Sequence, residues 1–99
     1  MSKVYVINNM NHSFHKASKY GTIHYVTKGK VPIFKTDVVK NMLRNGLKDF
    51  NIKEDYLLLS GPSIMCILAT MIVMNGKDPI KVLVFDAKEQ DYIVRHLTI

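Results

Sequence analysis

The sequence predicts an α/β domain built on a mostly parallel β-sheet. Three observations lead there. Strand-like and helix-like segments alternate along the chain. The run Tyr56-Leu57-Leu58-Leu59 is apolar without alternation, as suits a central parallel strand covered on both faces. Only six residues, Asp86 to Asp91, separate the last two strand-like runs, too few for a parallel crossover, so that pair is antiparallel. With 99 residues and 47% hydrophobic side chains, residues 1–99 fit one globular domain.

Val4-Tyr5-Val6-Ile7 is β-branched and aromatic and reads as a buried first strand. The turn cluster Asn8-Asn9-Met10-Asn11 ends it. Asn11 is the expected cap of a short helix over Ser13–Tyr20, with Phe14, Ala17 and Ser18 on one face and Gly21 as its stop. Thr22–Thr27 is the second strand, Ile23 and Tyr25 facing one way, His24 and Val26 the other. Lys28-Gly29-Lys30 turns out of it, and Pro32, which lacks a donor, makes Val31–Phe34 an extended connector.

Thr36 or Asp37 caps the second helix, and Asp37 suits the positive end of its dipole. Val38, Val39, Met42, Leu43, Leu47 and Phe50 form an apolar stripe at helical period, with Lys40, Arg44 and Lys48 on the solvent-facing side. After the third strand, Ser60-Gly61-Pro62-Ser63 opens the third helix, Pro62 fitting the first helical position. Ile64–Met74 is apolar on every side except Thr70, and Asn75-Gly76 ends it. Ile80–Phe85 is the fourth strand and Tyr92–Ile99 the fifth, with Tyr92, Val94 and His96 opposite Ile93, Arg95 and Leu97. The string β-α-β-α-β-α-β-β implies a compact Rossmann-like or flavodoxin-like three-layer domain, strand order 2-1-3-4-5, with the antiparallel C-terminal strand at an edge.

Composition removes several classes of function. One cysteine excludes an internal disulfide framework and a multi-cysteine zinc site. The apolar run Ile64–Met74 is far short of the roughly 20 residues that span a bilayer. Met1-Ser2-Lys3 leads straight into a strand-like run rather than an apolar leader, so a cytoplasmic protein with no membrane association is expected. Fourteen Lys and Arg stand against eight Asp and Glu, a net of +6. Residues 1–53 carry ten basic and two acidic side chains, a net of +8, and residues 54–99 four and six, a net of −2. The basic half attracts anions, acidic proteins or nucleic acid. With only two arginines the expected nucleic-acid binding is weak and non-specific, because base edges are read mostly by Arg.

In an open α/β sheet, ligands bind beyond the carboxyl ends of the strands where the connections diverge, here between the first and third strands. That rule gathers Asn8, Asn11 and His12 beside Ser60, Gly61 and Ser63, with Lys28 after the second strand and Asp86 after the fourth. A glycine, two hydroxyls and free amides at a helix start suit a phosphate or carboxylate. The competing reading is that Ser60 or Gly61 only caps the helix. No Walker A loop and no Gly-x-Gly-x-x-Gly occurs, so no nucleotide cofactor is expected by those routes. His12 and His15 lie three apart, but further ligands are few and no metal site is expected. His12 also suits general acid–base work, the basis of a weaker nuclease or phosphodiesterase reading. Cys66 sits inside the apolar helix and reads as a small hydrophobe. That helix, rich in Met65, Met71 and Met74, predicts a homodimer through its uncovered side, with the edge strand as a second route.

Val4-Tyr5-Val6-Ile7-Asn8, His12-Ser13-Phe14 with Ala17 and Tyr20-Gly21, Asp55-Tyr56-Leu57-Leu58-Leu59-Ser60-Gly61, and Val82-Leu83-Val84-Phe85 with Tyr92 together resemble a group of small uncharacterised phage-encoded proteins. The resemblance covers nearly the whole chain. It implies a protein made in an infected cell, hence the host cytoplasm, and brings no established activity. The group's pattern places an Asp after the histidine where this chain has Ser13, which weakens a His–Asp catalytic pair. The function expected is binding of a phosphate-bearing or nucleotide-like anion at the carboxyl edge of the sheet. The alternative is a non-catalytic protein that binds or inhibits a host factor.

Overall fold

Val4 to Ile7 is buried on both faces, which makes β1 (Lys3–Asn9) an interior strand. A computed structural model, describing residues 1–98, places it in a five-stranded sheet with β2 (Thr22–Lys28), β3 (Tyr56–Leu58), β4 (Ile80–Asp86) and β5 (Asp91–Leu97). The order is β2-β1-β3-β4-β5; the first three pairings are parallel and β4–β5 is antiparallel. The expected strand order, the lone antiparallel pair and the side-chain faces of β2 and β5 are all observed. Ile99, placed in the fifth strand by sequence, lies outside the described residues.

The two faces are covered unequally. Both α-helices, α1 (Thr36–Gly46) and α2 (Ser63–Val73), pack on one face, over Tyr5, Ile7, Leu57 and Val82. The other face has only a 3-10 turn, His15–Lys19, and a layer of aromatic rings. Phe14 packs edge-on to Tyr25, Tyr20 tilts on Tyr56, and Phe85 packs edge-on to Tyr92. Ala17 is the residue of the turn that reaches the core.

Four local expectations are corrected. Asn11 is no cap: it stands at φ 64°, while Asn9 Oδ1 accepts the His12 amide, and Phe14 precedes the first turn. Gly21 is no left-handed stop; a Cβ there would lie 2.5 Å from the Ser2 carbonyl oxygen, so close backbone approach requires it. Neither Thr36 nor Asp37 caps α1, which starts from Lys35 with no side-chain cap; Asp37 instead pairs with Lys40. Pro62 takes the cap position of α2 and not the first helical one.

The α1 stripe is narrower than its periodicity suggests. Val39, Leu43 and Leu47, four apart, are buried, whereas Val38 and Met42 sit at the edge in solvent. In α2 only Met65 and Ala69 are fully buried. Ile64, Ile67, Met71 and Met74 form an exposed stripe, with Met71 65% exposed. Among the described residues no helix is long and apolar enough to cross a membrane.

Candidate functional site

The site begins with a short strand. β3 stops pairing at Leu58, whereas β1 continues to Asn9 and β4 to Asp86. The sheet therefore has a notch at its carboxyl end, between β1 and β4. The last β1–β3 register pair is Val6 with Leu58. Beyond it the Ser60 hydroxyl takes over from the ladder: it accepts from the Asn8 amide at 3.2 Å and donates to the Asn8 carbonyl at 2.8 Å. Ser60 thus spends its hydroxyl on joining the strand ends. Gly61 then turns the chain towards α2 at φ 88°, where a Cβ would meet that of Asn8 at 2.7 Å. Strain and space both demand glycine there.

The notch opens into a cleft of about 480 Å³. Asn8, Ser60 and Gly61 form its floor, and Met10, His12, Ser13 and Phe14 one wall. Phe85 and Tyr92 of the β4–β5 hairpin form the other. The turn wall is fastened to the hairpin by Lys19 on Asp91, by Lys16 on the Gln90 carbonyl at 2.6 Å, and by the Tyr20 hydroxyl on the Tyr92 carbonyl at 3.1 Å. Burial pushes the Tyr92 phenol above its ordinary value, so it faces the cleft as a neutral group.

Asn8 is the one polar side chain in the cleft floor that is both buried and unspent. It is 4% exposed. Its Oδ1 lies 3.1 Å from Thr27 Oγ1, whose single proton is shared between that oxygen and the Ile7 carbonyl at 2.7 Å. The Asn8 Nδ2 has no partner among the described residues. No fully buried side-chain nitrogen or oxygen among them is unsatisfied, so this donor reaches the cleft. At the adjoining end of α2 the Ser63 and Ile64 amides lie outside the helix ladder, whose first bonds run from Met65 and Cys66 to the Pro62 carbonyl, and neither residue lines the cleft. No acidic residue occupies that first turn.

Of the eight residues gathered by sequence, the cleft brings together Asn8, His12, Ser60 and Gly61. Asn11 points out of the turn in solvent. Lys28 lays its ammonium over the Tyr25 ring, 5.1 Å from the centroid. Ser63 begins α2 in solvent, outside the cleft lining. Asp86 caps the hairpin turn, accepting from the Lys88 amide at 3.0 Å. Sequence reasoning did not place Phe14, Phe85 and Tyr92 in the site. Their signal was the hairpin itself: a six-residue connection fixes Phe85 opposite Tyr92, on the face that Phe14 covers. Cys66 is half-buried, its thiol pushed up by burial, with Sγ 3.6 Å from the Ser60 carbonyl. Among the described residues no three His, Cys, Asp or Glu side chains converge as a metal site would need.

Fold and cleft define a small α/β protein with an open, aromatic-walled site at the carboxyl end of a mostly parallel sheet. The chain belongs to the phage Pam3 gp32-like protein family, whose sequence profile matches residues 2–99. That agrees with the resemblance to small phage proteins read from the sequence. No curated protein and no solved structure gives a significant match to the chain.

Proposed function

We propose that the domain is a Rossmann-like ligand-binding module whose cleft holds a phosphate-bearing, nucleotide-like anion. The observation that carries this reading is the Asn8 carboxamide, buried yet with a donor left over for the cleft. Because that donor opens on the cleft, a ligand acceptor bonded to it contributes a net of about 0.5–1.5 kcal/mol. Three features support it. The cleft lies where the connections leaving β1 and β3 pass to opposite faces, the usual ligand position in such sheets. The positive end of the α2 dipole favours negative charge beside Asn8. Phe85, 44% exposed, offers an aromatic surface to a flat heterocycle.

The test is a titration of the isotope-labelled protein with the four nucleoside 5′-monophosphates. The Asn8 side-chain amide and the Gly61 backbone amide should shift together. Asn8→Asp, which keeps the shape but adds a carboxylate, should weaken binding about tenfold or more. Unmoved resonances at millimolar nucleotide overturn the proposal.

A second reading, self-association, is favoured by the α2 stripe. Beside Ile67, Met71 and Met74 runs the uncovered helix-side strip of β4 and β5, where Val84 and Leu97 are exposed. The occupant inferred is a second copy, its α2 seated on that strip. Burying both patches on both copies removes on the order of 1,000 Å², the size a stable contact needs. Light scattering at micromolar concentration should give a dimer mass, and Met71→Glu a monomer. A monomeric parent chain removes the dimer and leaves the stripe to a host protein.

A further inference from the structure

We propose that the cleft is one half of a bipartite site, and that its ligand is two nucleoside units joined through phosphate. The inference rests on the anion-binding reading above and names the ligand class more closely. A second cavity, of about 410 Å³, lies on the far side of Asn8 and Met10, which line both. Gly61 belongs to the first cavity and Pro62 to the second, so the start of α2 stands at the saddle between them. A ligand filling both cavities therefore carries its linker across that saddle, beside the Asn8 side chain. A negatively charged linker matches the Asn8 donor and the positive end of the α2 dipole. The unspent Asn8 donor is independent of the helix terminus and points to the same place.

The second cavity has an apolar lining that suits a ring. Val31, Ile33 and Phe34 line it, and Lys30 stands at its rim. Phe34 is 95% exposed, an unusual state for a phenyl ring. The backbone that carries it is held: Val31 is buried, the Ile33 amide bonds to the Val31 carbonyl at 2.9 Å, and the Lys35 amide to that of Pro32 at 2.9 Å. Pro32 further restricts the loop. An exposed ring on a restrained turn is a stacking platform, and stacking on an aromatic side chain serves any base. The surroundings are cationic, with Lys28, Lys30 and Lys35 all exposed; the nearest acid along the loop, Asp37, is paired with Lys40. Rings with negative charge between them fit this surface better than an apolar or acidic-rimmed partner does.

The experiment compares calorimetric affinities for nucleoside 5′-monophosphates and 5′-phosphorylated dinucleotides, using the full chain. The dinucleotide should bind at least tenfold more tightly than its mononucleotide. Phe34→Ala, at a position without tertiary cover, should keep the parent's unfolding midpoint and bring that ratio close to one. A single-stranded decanucleotide separates the sources of the shared chemistry: binding per site equal to the dinucleotide's identifies a strand, and weaker binding a free dinucleotide. A parent ratio of one with mononucleotide binding intact overturns the bipartite site and leaves the proposed function standing. A ratio that survives in Phe34→Ala also overturns it. Absence of binding by both probes removes both.

Discussion

The two ends of the β1–β3 pair are joined by different chemistry. At the amino end Asp55, 3% exposed, accepts the Lys3 amide at 2.9 Å on one oxygen and the Asn51 amide at 2.8 Å on the other. Both oxygens are spent on backbone donors. At the carboxyl end the Ser60 hydroxyl ties the Asn8 backbone in both directions, while the Asn8 carboxamide keeps a donor facing a cleft. A buried polar group whose capacity is exhausted within the chain is holding structure. One with capacity left over is a place for a ligand.

The largest expected effect tests the closed end. Asp55→Ala leaves two backbone amides without a charged acceptor, at a cost of about 3 kcal/mol and a midpoint lowered by roughly 10–20 °C. Ser60→Ala removes neutral hydrogen bonds and should cost about 1 kcal/mol. Thermal unfolding of the two variants measures the difference. Equal losses would mean that the two ends are equivalent ties and would break the comparison.

The next effect compares two glycines at nearly the same backbone angle. Gly61 has φ 88° and Gly76 φ 80°. Alanine at either pays the left-handed strain, about 1–2 kcal/mol. A Cβ at Gly76 meets nothing within 4 Å, while one at Gly61 meets the Asn8 Cβ at 2.7 Å. Gly61→Ala should therefore lose about 1 kcal/mol more than Gly76→Ala, and it alone should displace Asn8 and weaken nucleotide binding. Equal losses in denaturant unfolding would mean that the Asn8 contact relaxes freely and that Gly61 serves only the turn.

Much of the fold was legible because strand runs and helical stripes record burial directly. Tyr56-Leu57-Leu58-Leu59 announced an interior strand, and the short Asp86–Asp91 connection announced the antiparallel β4–β5 pair. What was not legible was where β3 stops. Leu59 is as apolar as Leu58 and its amide still bonds to the Leu83 carbonyl, yet register pairing with β1 ends at Leu58 and so creates the notch. Capping chemistry misled where several candidates compete: Asn9 made the local turn bond, and Asn11 took the left-handed position that Asn tolerates. Strand ends gave the right neighbourhood for Lys28 and Asp86 but not their partners, since the Tyr25 ring and the hairpin amides drew them away. Asn8 was legible as a position, whereas its spare donor is visible only once Thr27 is seen beside it.

The smallest effect concerns how the cleft wall is held. Lys19 reaches Asp91 across 72 residues of sequence, and both side chains are in solvent. The hydrogen bond from Lys19, with a lesser one from the Tyr92 amide, holds the Asp91 carboxyl below its ordinary value. The sign follows from linkage. A carboxyl whose folded value is lowered contributes stability above the unfolded value of about 3.9, and that contribution is lost as the pH falls through the lowered value. Asp55, enclosed by backbone amides, has no cation to lose; the wall at the open end depends on one. An NMR titration of the Asp91 carboxyl carbon should give a midpoint below the usual aspartate range, and Lys19→Met should return it there. Because the pair is exposed, added salt should move the midpoint in the same direction as the mutation. A midpoint unmoved by Lys19→Met would mean that the wall is held by the Lys16 and Tyr20 bonds alone, and that the open end is as independent of side-chain charge pairs as the closed one.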